Sequence, residues 1–176
     1  MSNVKGYFRY CPRCAKPLRW IREHREDRSL QHCGTCGFTF YNNPITATEA
    51  YIVRNGKLLM VRRGQPPKKG FLDVPGGFMD GFESPRTGII REIKEEIGCV
   101  FSPRGLLGAY NDHYPWKGKD YAVVVLSYFG TIKGTPASNY EIAEVEWVPL
   151  NKIPSRLAFA HMHDSIRDLK RSLRDK

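Results

Sequence analysis

From Ile45 onward, short apolar runs alternate with turn residues, a pattern that predicts strands mixed with helices. Ala47 to Val53 and Lys57 to Arg63 read as two strands joined at Asn55-Gly56, a dipeptide typical of hairpin turns. The pattern predicts further strands at Phe71 to Val74, Leu106 to Tyr114, Tyr121 to Ile132 and Val145 to Pro149, and a last, outwardly basic helix over residues 156–174. Because the elements do not alternate strictly, we expect an α+β fold with a mixed sheet.

The segment between Ser84 and Gly98 predicts a helix with clear ends. Ser84 can cap its start, Pro85 suits the first helical position, and Gly98 can end it. An apolar stripe at helical spacing should face the core, and it consists of Ile89, Ile93 and Ile97 with Ile90 beside it.

The same helix carries three carboxylates beside the apolar stripe. Glu92, Glu95 and Glu96 are spaced i, i+3, i+4 and fall within an arc of about 100°. Like charges four residues apart disfavour a helix by a few tenths of a kcal/mol. Such a cluster suits a hard divalent cation, which takes oxygen ligands and shares them with phosphates. The alternative is a solvated charged face.

The residues before the helix complete a longer pattern. Val74-Pro75-Gly76-Gly77 can bring bare backbone close to a metal. The full spacing is Gly77-x5-Glu83-x7-Arg91-Glu92-Ile93-x-Glu95-Glu96-x-Gly98-Cys99. This pattern resembles the Nudix box of the Nudix hydrolase superfamily at every fixed position. Cys99 stands where the family usually has a bulky aliphatic residue, and a free cysteine can serve as a small hydrophobe there.

The resemblance implies a fold and a metal site. The fold would be a Nudix α/β/α sandwich around a mixed sheet. The ligands of a catalytic Mg²⁺ or Mn²⁺ would be Glu92, Glu95 and Glu96, with the carbonyl of Gly76 or Gly77 nearby.

The resemblance also implies roles for residues outside that ligand set. Glu83 and Arg91 would form a supporting ion pair. Water would attack a phosphorus atom of a nucleoside diphosphate compound while a carboxylate accepts the proton. That base would be Glu95 or Glu96, or else a later glutamate, Glu141 or Glu144, whose alternative role is an ordinary surface charge.

Other side chains are candidates for contact with the substrate. Arg62 and Arg63 end the second strand and could reach its phosphates, although solvated surface cations are the alternative for each. Tyr114, Trp116 and Phe159 could stack on adenine, and burial in the core is the alternative for Phe159.

Two cysteine pairs precede the Nudix-like segment. Cys11-x2-Cys14 and Cys33-x2-Cys36 have the spacing of a closed, four-thiolate structural Zn²⁺ site, with disulfides as the alternative. We therefore predict a zinc ribbon over residues 1–40 and a Nudix hydrolase domain over residues 41–176. The segment Tyr41-Asn42-Asn43-Pro44 would link them.

Composition and hydropathy indicate the kind of partner and the cellular location. The formal net charge of +10 favours an anionic partner, or simply a solubilising basic surface. Apolar runs are too short to span a membrane and no signal peptide is visible, so we expect a cytoplasmic protein without membrane contact.

A zinc ribbon ahead of a Nudix domain resembles NADH pyrophosphatases and ribbon-bearing Nudix proteins that act on ADP-ribose or FAD. The leading hypothesis is therefore a hydrolase that cleaves the pyrophosphate bond of ADP-ribose, FAD or an NADH-like dinucleotide. The alternatives are a nucleoside-triphosphate pyrophosphatase, an enzyme that removes caps from RNA, and a module that senses nucleotides or nucleic acid. Analogy with the family makes a homodimer one expected assembly, with the ribbon as its interface.

Overall fold

The computed structural model describes residues 8–22, 29–41 and 43–174. The chain divides into two compact units, Met1–Asn43 and Pro44–Lys176, and each is described separately. In the described part of the first unit, an antiparallel sheet has the order β1-β2-β3. Its strands are β1 (Arg19–Arg22), β2 (Ser29–His32) and β3 (Thr39–Phe40).

The second unit is a sheet with a helix on each face. Its strands are β4 (Ile45–Arg54), β5 (Lys57–Arg63), β6 (Leu72–Asp73), β7 (Gly76–Phe78), β8 (Val100–Trp116), β9 (Lys119–Lys133) and β10 (Ile142–Pro149). Its helices are α1 (Pro85–Ile97) and α2 (Met162–Arg174). The main strand order is β10-β5-β4-β9-β8. Only the β4–β9 pair among these described strands is parallel, so the predicted mixed sheet is confirmed.

Strand β4 explains the layering. Successive side chains of a strand point to opposite faces, and this strand is apolar on both. Ala50 and Ile52 belong to the core under α1, whereas Tyr51 packs in the core under α2. Because each face is covered by a helix, both sets are buried, and the expected α/β/α arrangement is present.

Local signals place α1 where the sequence predicts it. Ser84 accepts a hydrogen bond from the backbone N–H of Thr87 at 3.1 Å, and Gly98 ends the helix with φ of 70°. The core-facing stripe is buried at Ile89, Ile93 and Ile97.

Two predicted elements differ from the structure. The sequence pattern predicts no strand after Val74, but Gly76 to Phe78 form β7, in which Gly77 pairs with Thr48. The last helix was predicted to begin near residue 156, which is wrong, because α2 begins at Met162. The preceding residues extend along the sheet instead: Leu157 bridges to Leu72, and the N–H of Ala158 donates to the carbonyl of Leu72 at 2.8 Å.

Candidate active site

A local opening of the sheet creates the site. Near their hairpin β4 and β5 pair directly, as Val53 with Leu58, but further along β6 pairs with β5 and β7 pairs with β4. The N–H of Ala50 donates to the carbonyl of Pro75, which lies between β6 and β7, at 2.9 Å. A cavity of about 490 Å³ is lined by these four strands together with α1, β8, β9, the start of β10, and the segments before β10 and α2.

Glu96 lies deepest of the three carboxylates that α1 carries. One of its oxygens accepts a hydrogen bond from the backbone N–H of Gly76 at 2.8 Å. Burial raises the pKa of Glu96 to about 8; the Gly76 hydrogen bond opposes this shift, and the charges of Asp73, Glu92 and Glu141 add to it. A carboxylate held this way is a strong candidate to bind a cation or to accept a proton.

Glu92 also lines the cavity and lies against the glycine turn. A methyl carbon added to Gly77 would lie 2.6 Å from a carboxylate oxygen of Glu92. Burial raises the pKa of Glu92, although its hydrogen bond with Arg91 acts in the opposite direction. Glu95, in contrast, is exposed to solvent, binds Arg91 at 2.9 Å and is not part of the cavity wall.

Arg91 ties the loop before the helix to the helix itself. Its guanidinium donates two hydrogen bonds to the carboxylate of Glu83, at 2.6 and 3.2 Å, and one to the carbonyl of Phe78 at 3.1 Å. Glu83 also accepts from the N–H of Asp80 at 2.7 Å. The hydrogen bonds from Arg91 and Asp80 hold the pKa of Glu83 below its ordinary value. The expected Glu83–Arg91 pair is thus formed.

The two adjacent arginines of β5 point in opposite directions, as alternation along a strand requires. Arg63 lines the cavity, where it donates to the buried carboxylate of Asp73 at 2.9 Å. Arg62 instead binds Glu144, at 3.1 Å, and Glu146, and it is not among the cavity-lining residues. The structure therefore brings Arg63 into the candidate site and leaves Arg62 outside it.

Of the two later glutamates, one lines the cavity and the other lies outside it. Glu141 lines the cavity, and its backbone carbonyl accepts from the N–H of Gly64 at 2.7 Å. Glu144 lies outside the cavity wall, bound to Arg62. Of the two, Glu141 alone is placed near the box carboxylates.

Aromatic rings line another part of the cavity wall. Tyr114 and Phe159 stack with their centroids 5.9 Å apart, and Phe78 meets Tyr114 edge-on at 5.0 Å. The guanidinium of Arg63 lies 5.2 Å from the centre of the Phe159 ring. Trp116 also lines the cavity, so these rings could contact a nucleobase or sugar.

A buried charged network in the cavity wall was not predicted from the sequence. His161 contacts Glu49 through Nε2 at 3.0 Å and Asp112 through Nδ1 at 2.7 Å, and Glu49 also accepts from Ser127. Burial lowers the pKa of His161, but the hydrogen bonds with Glu49 and Asp112 outweigh it and raise that pKa to about 9. The sequence signal was a glutamate inside the apolar strand β4, where an unpaired charge would be costly.

The four cysteines of the first unit converge. Their Sγ atoms all lie within 4.8 Å of one another, with Cys11–Cys36 at 3.6 Å and Cys14–Cys33 at 3.5 Å. Tetrahedral Zn–S bonds of about 2.3 Å would place sulfurs roughly 3.8 Å apart. All four are free thiols in the structure, so the cluster fits a small zinc ribbon and not the disulfide alternative.

Backbone turns hold the two cysteine pairs in place. Ala15 and Gly37 follow the pairs with φ of 59° and 72°, and their N–H groups donate to the carbonyls of Cys11 and Cys33. Hydrogen bonds from backbone N–H groups of Cys36 and Thr35 lower the pKa of Cys33 to about 6. A backbone hydrogen bond from Lys16 lowers the pKa of Cys14, but burial and the three neighbouring thiols outweigh it and raise that pKa to about 12, so the thiols of the cluster share protons among themselves.

Comparison with known proteins supports the resemblance of the box. A family model described as NUDIX domain matches residues 45–169. The chain belongs to the Nudix family. An ADP-ribose pyrophosphatase of Methanocaldococcus jannaschii is 31% identical over 126 residues, which cover 70% of this chain and 72% of that protein.

Other similar proteins support the assignment of the chain to the Nudix family. The NAD-capped RNA hydrolase NudC of Vibrio atlanticus is 24% identical over 157 residues, which cover 87% of this chain but 54% of that protein. A crystal structure of a NUDIX hydrolase from Nitrosomonas europaea has a TM-score of 0.76 at 22% identity, covering 91% of this chain and 89% of that one. Its likeness confirms the Nudix fold.

This Nudix protein is therefore a pyrophosphohydrolase, and Nudix hydrolases act on small nucleotide substrates. Neither helix in the described ranges has the length and apolar character needed to cross a bilayer.

Proposed function

We propose that this Nudix hydrolase cleaves the diphosphate bond of a nucleoside-diphosphate derivative, with ADP-ribose as the leading substrate and FAD or an NADH-like dinucleotide in the same class. One observation carries the proposal. A single cavity combines Glu92 and Glu96 of the box with the aromatic residues Tyr114 and Phe159 and the cation of Arg63. The similarity to an ADP-ribose pyrophosphatase supports the choice of substrate.

The cavity suits a divalent cation because its wall is rich in carboxylates. Its acidic lining residues are Glu49, Asp73, Glu92, Glu96, Asp112 and Glu141, whereas the half-buried Arg63 and the buried His161 supply positive charge. We assign Mg²⁺ or Mn²⁺ to Glu92 and Glu96, with the Gly77 carbonyl beside them and Glu95 at the edge of the cluster. When bound, such an ion neutralises phosphate charge and makes water more acidic.

The remaining polar groups of the site have supporting tasks. Arg91 holds the loop residue Glu83, so the glycine turn keeps its position against α1. A carboxylate must accept the proton of the attacking water, and Glu96 and Glu141 are the two candidates in the cavity. Arg63 faces the same space and can pair with a phosphate oxygen.

The aromatic wall would receive the nucleoside. Tyr114 and Phe159 already stack on each other at 5.9 Å, so a base would pack against their outer faces or against Trp116 and not between them. Such stacking is tolerant of base identity. Discrimination among ADP-ribose, FAD and NADH would then come from the second half of the substrate.

The four-cysteine cluster would hold Zn²⁺ in a structural role. Four thiolates complete a tetrahedral shell and leave no position for water or substrate. We therefore assign residues 1–40 to a zinc ribbon that needs the ion to fold, and residues 41–176 to the Nudix domain.

A substrate panel tests the proposed function. The purified enzyme would be supplied with Mg²⁺ or Mn²⁺ and with ADP-ribose, FAD, NADH, ATP or a capped RNA, and products would be separated by chromatography. We expect ADP-ribose to yield AMP and ribose 5-phosphate. Turnover of ATP or capped RNA without turnover of ADP-ribose would replace this proposal with one of the alternative activities.

Two variants connect the activity with the cavity. Glu96→Gln should lower kcat by at least about 100-fold, because it removes a metal ligand or a base. Asp164→Asn removes an exposed carboxylate from α2, outside the cavity, and should leave turnover unchanged. Near-normal turnover by Glu96→Gln would show that the site has been assigned to the wrong residues.

A further inference from the structure

One face of the ribbon sheet carries clustered aromatic rings. Trp20 pairs with Gln31 and Gln31 pairs with Phe40, so these three side chains project from the same face. The Gln31 amide hydrogen-bonds with the backbone N–H and carbonyl of Phe8, at 3.2 and 2.5 Å. The Phe8 ring in turn meets Phe40 edge-on at 4.9 Å. We call Phe8, Trp20 and Phe40 the aromatic face.

Two of the three rings of the aromatic face are open to solvent, and Phe40 is half-buried. Phe8 is 41% exposed and Trp20 is 43% exposed, whereas Gln31 beneath them is buried. Single exposed apolar residues are ordinary on protein surfaces, but grouped rings fixed by a buried amide mark an interaction surface. The hydrogen bonds of Gln31 hold the backbone of Phe8, so part of the platform is preorganised.

The positive charge of the ribbon favours an anionic partner for the aromatic face. Residues 8–22 and 29–41 contain Arg9, Arg13, Lys16, Arg19 and Arg22 but no aspartate or glutamate. Over residues 1–43 as a whole, eight Lys and Arg stand against three Asp and Glu, so this quarter of the chain holds half of the net charge of +10.

We propose that the aromatic face of the ribbon binds single-stranded nucleic acid. Bases would stack on Trp20 and Phe8, and exposed basic side chains of the loop before β1, Arg13 and Lys16 among them, would pair with the phosphates. Sequence-tolerant binding of single strands uses this combination of exposed rings and basic surface. The proposal concerns the ribbon alone and does not depend on which nucleotide the Nudix domain hydrolyses.

A second copy of the chain fits this face less well. Two ribbons meeting face to face would bring like charges together, because residues 1–43 contain eight Lys and Arg but three Asp and Glu. Juxtaposed like charges disfavour association. A polyanion brings the opposite charge, and its unstacked bases also cover the rings.

The test measures binding of the zinc-loaded full chain to fluorescently labelled oligonucleotides by anisotropy. Single-stranded RNA and DNA of about 12 nucleotides would be compared with a duplex of equal length over a range of salt concentrations. We expect single strands to bind more tightly than the duplex, and affinity to fall as salt rises. A comparison of the affinities for RNA and DNA strands shows whether the sugar contributes to binding.

Variants separate stacking from general charge attraction. Trp20→Ala should weaken single-strand binding at least about five-fold, and Trp20→Tyr should restore most of it. The matched control is Tyr140→Ala, which removes an exposed ring from the Nudix unit and should have no effect. Zinc content and thermal unfolding would verify that each variant is folded.

A second pair of variants tests the phosphate contacts. Arg13→Gln with Lys16→Gln should reduce the slope of log affinity against log salt by about 1.4, since each single-strand phosphate contact contributes about 0.7. Arg104→Gln with Lys133→Gln removes the same charge from exposed positions of the Nudix unit and should change the slope much less.

Two results would overturn the proposal. In one, the wild-type protein binds single strands and duplex equally and Trp20→Ala binds single strands as tightly as the wild type. The ribbon would then be a basic surface that attracts any polyanion. The other is a dimer in sedimentation that Trp20→Ala dissociates while anisotropy stays unchanged, which would assign the aromatic face to a second copy.

Discussion

The α-carbon of Gly77 faces the carboxylate of Glu92 so closely that an added methyl carbon would lie 2.6 Å from its oxygen. Glycine at this position therefore allows the segment before the helix and the side chain of Glu92 to share one small space. We predict that Gly77→Ala lowers kcat/KM by about 10- to 100-fold, because a displacement of about 1 Å at a reacting site can cost that much. Steady-state kinetics on the substrate that the panel identifies would measure the loss.

Gly34→Ala is the matched control for this substitution. The added carbon has nothing within 4 Å there, so kcat/KM should stay within about two-fold of the wild-type value. If Gly77→Ala were equally harmless, the close approach of the turn to Glu92 would have no part in catalysis.

Glu141 and Glu144 offer a second matched pair. Glu141 lines the cavity, whereas Glu144 binds Arg62 outside it. We predict that Glu141→Gln lowers kcat by at least about 10-fold, as loss of a proton acceptor does, and that Glu144→Gln stays within about two-fold. Rates measured across pH would distinguish lost proton transfer from lost folding. The reverse ranking of the two variants would remove Glu141 from the list of bases.

Local patterns explain why α1 could be predicted from the sequence. Ser84, Pro85 and Gly98 act on their immediate neighbours, so the boundaries of the helix follow from residues a few positions apart. The Glu83–Arg91 pair was also predictable, because loop and helix are continuous in the chain.

Contacts between distant segments could not be predicted in this way. Glu49, Asp112 and His161 come from β4, β8 and the segment before α2, and only the folded sheet brings them together. The difference between Arg62 and Arg63 has another origin. Which of two adjacent strand residues faces a cavity depends on the register, and a change of one residue reverses both side chains.

Metal removal tests the ribbon. We predict about one zinc ion per chain, and we expect a strong chelator to make residues 8–41 sensitive to protease, because binding of a structural zinc ion contributes about 10–16 kcal/mol in small zinc domains. Cys33→Ser should have the same effect. Limited proteolysis with mass spectrometry would locate the cleavages, and elemental analysis would count the metal.

Cys99 supplies the control for the cysteine substitutions. It is buried in the core under α1 and lies outside the four-cysteine cluster. Cys99→Ser should therefore leave the zinc content unchanged while lowering the stability of the Nudix unit. Full resistance of the ribbon to protease after complete loss of metal would contradict the structural role of the ion.

His161 should make the stability of the Nudix unit depend on pH. Its pKa is raised to about 9 by Glu49 and Asp112, from an ordinary value of about 6.5, so folding favours the charged imidazolium. This contribution is complete below pH 6.5 and is lost as pH rises through 9. Urea unfolding should show wild-type stability falling by about 1–3 kcal/mol more than that of His161→Gln between pH 6.5 and 9.5. Parallel pH profiles for the two proteins would mean that the imidazole is uncharged in the folded state.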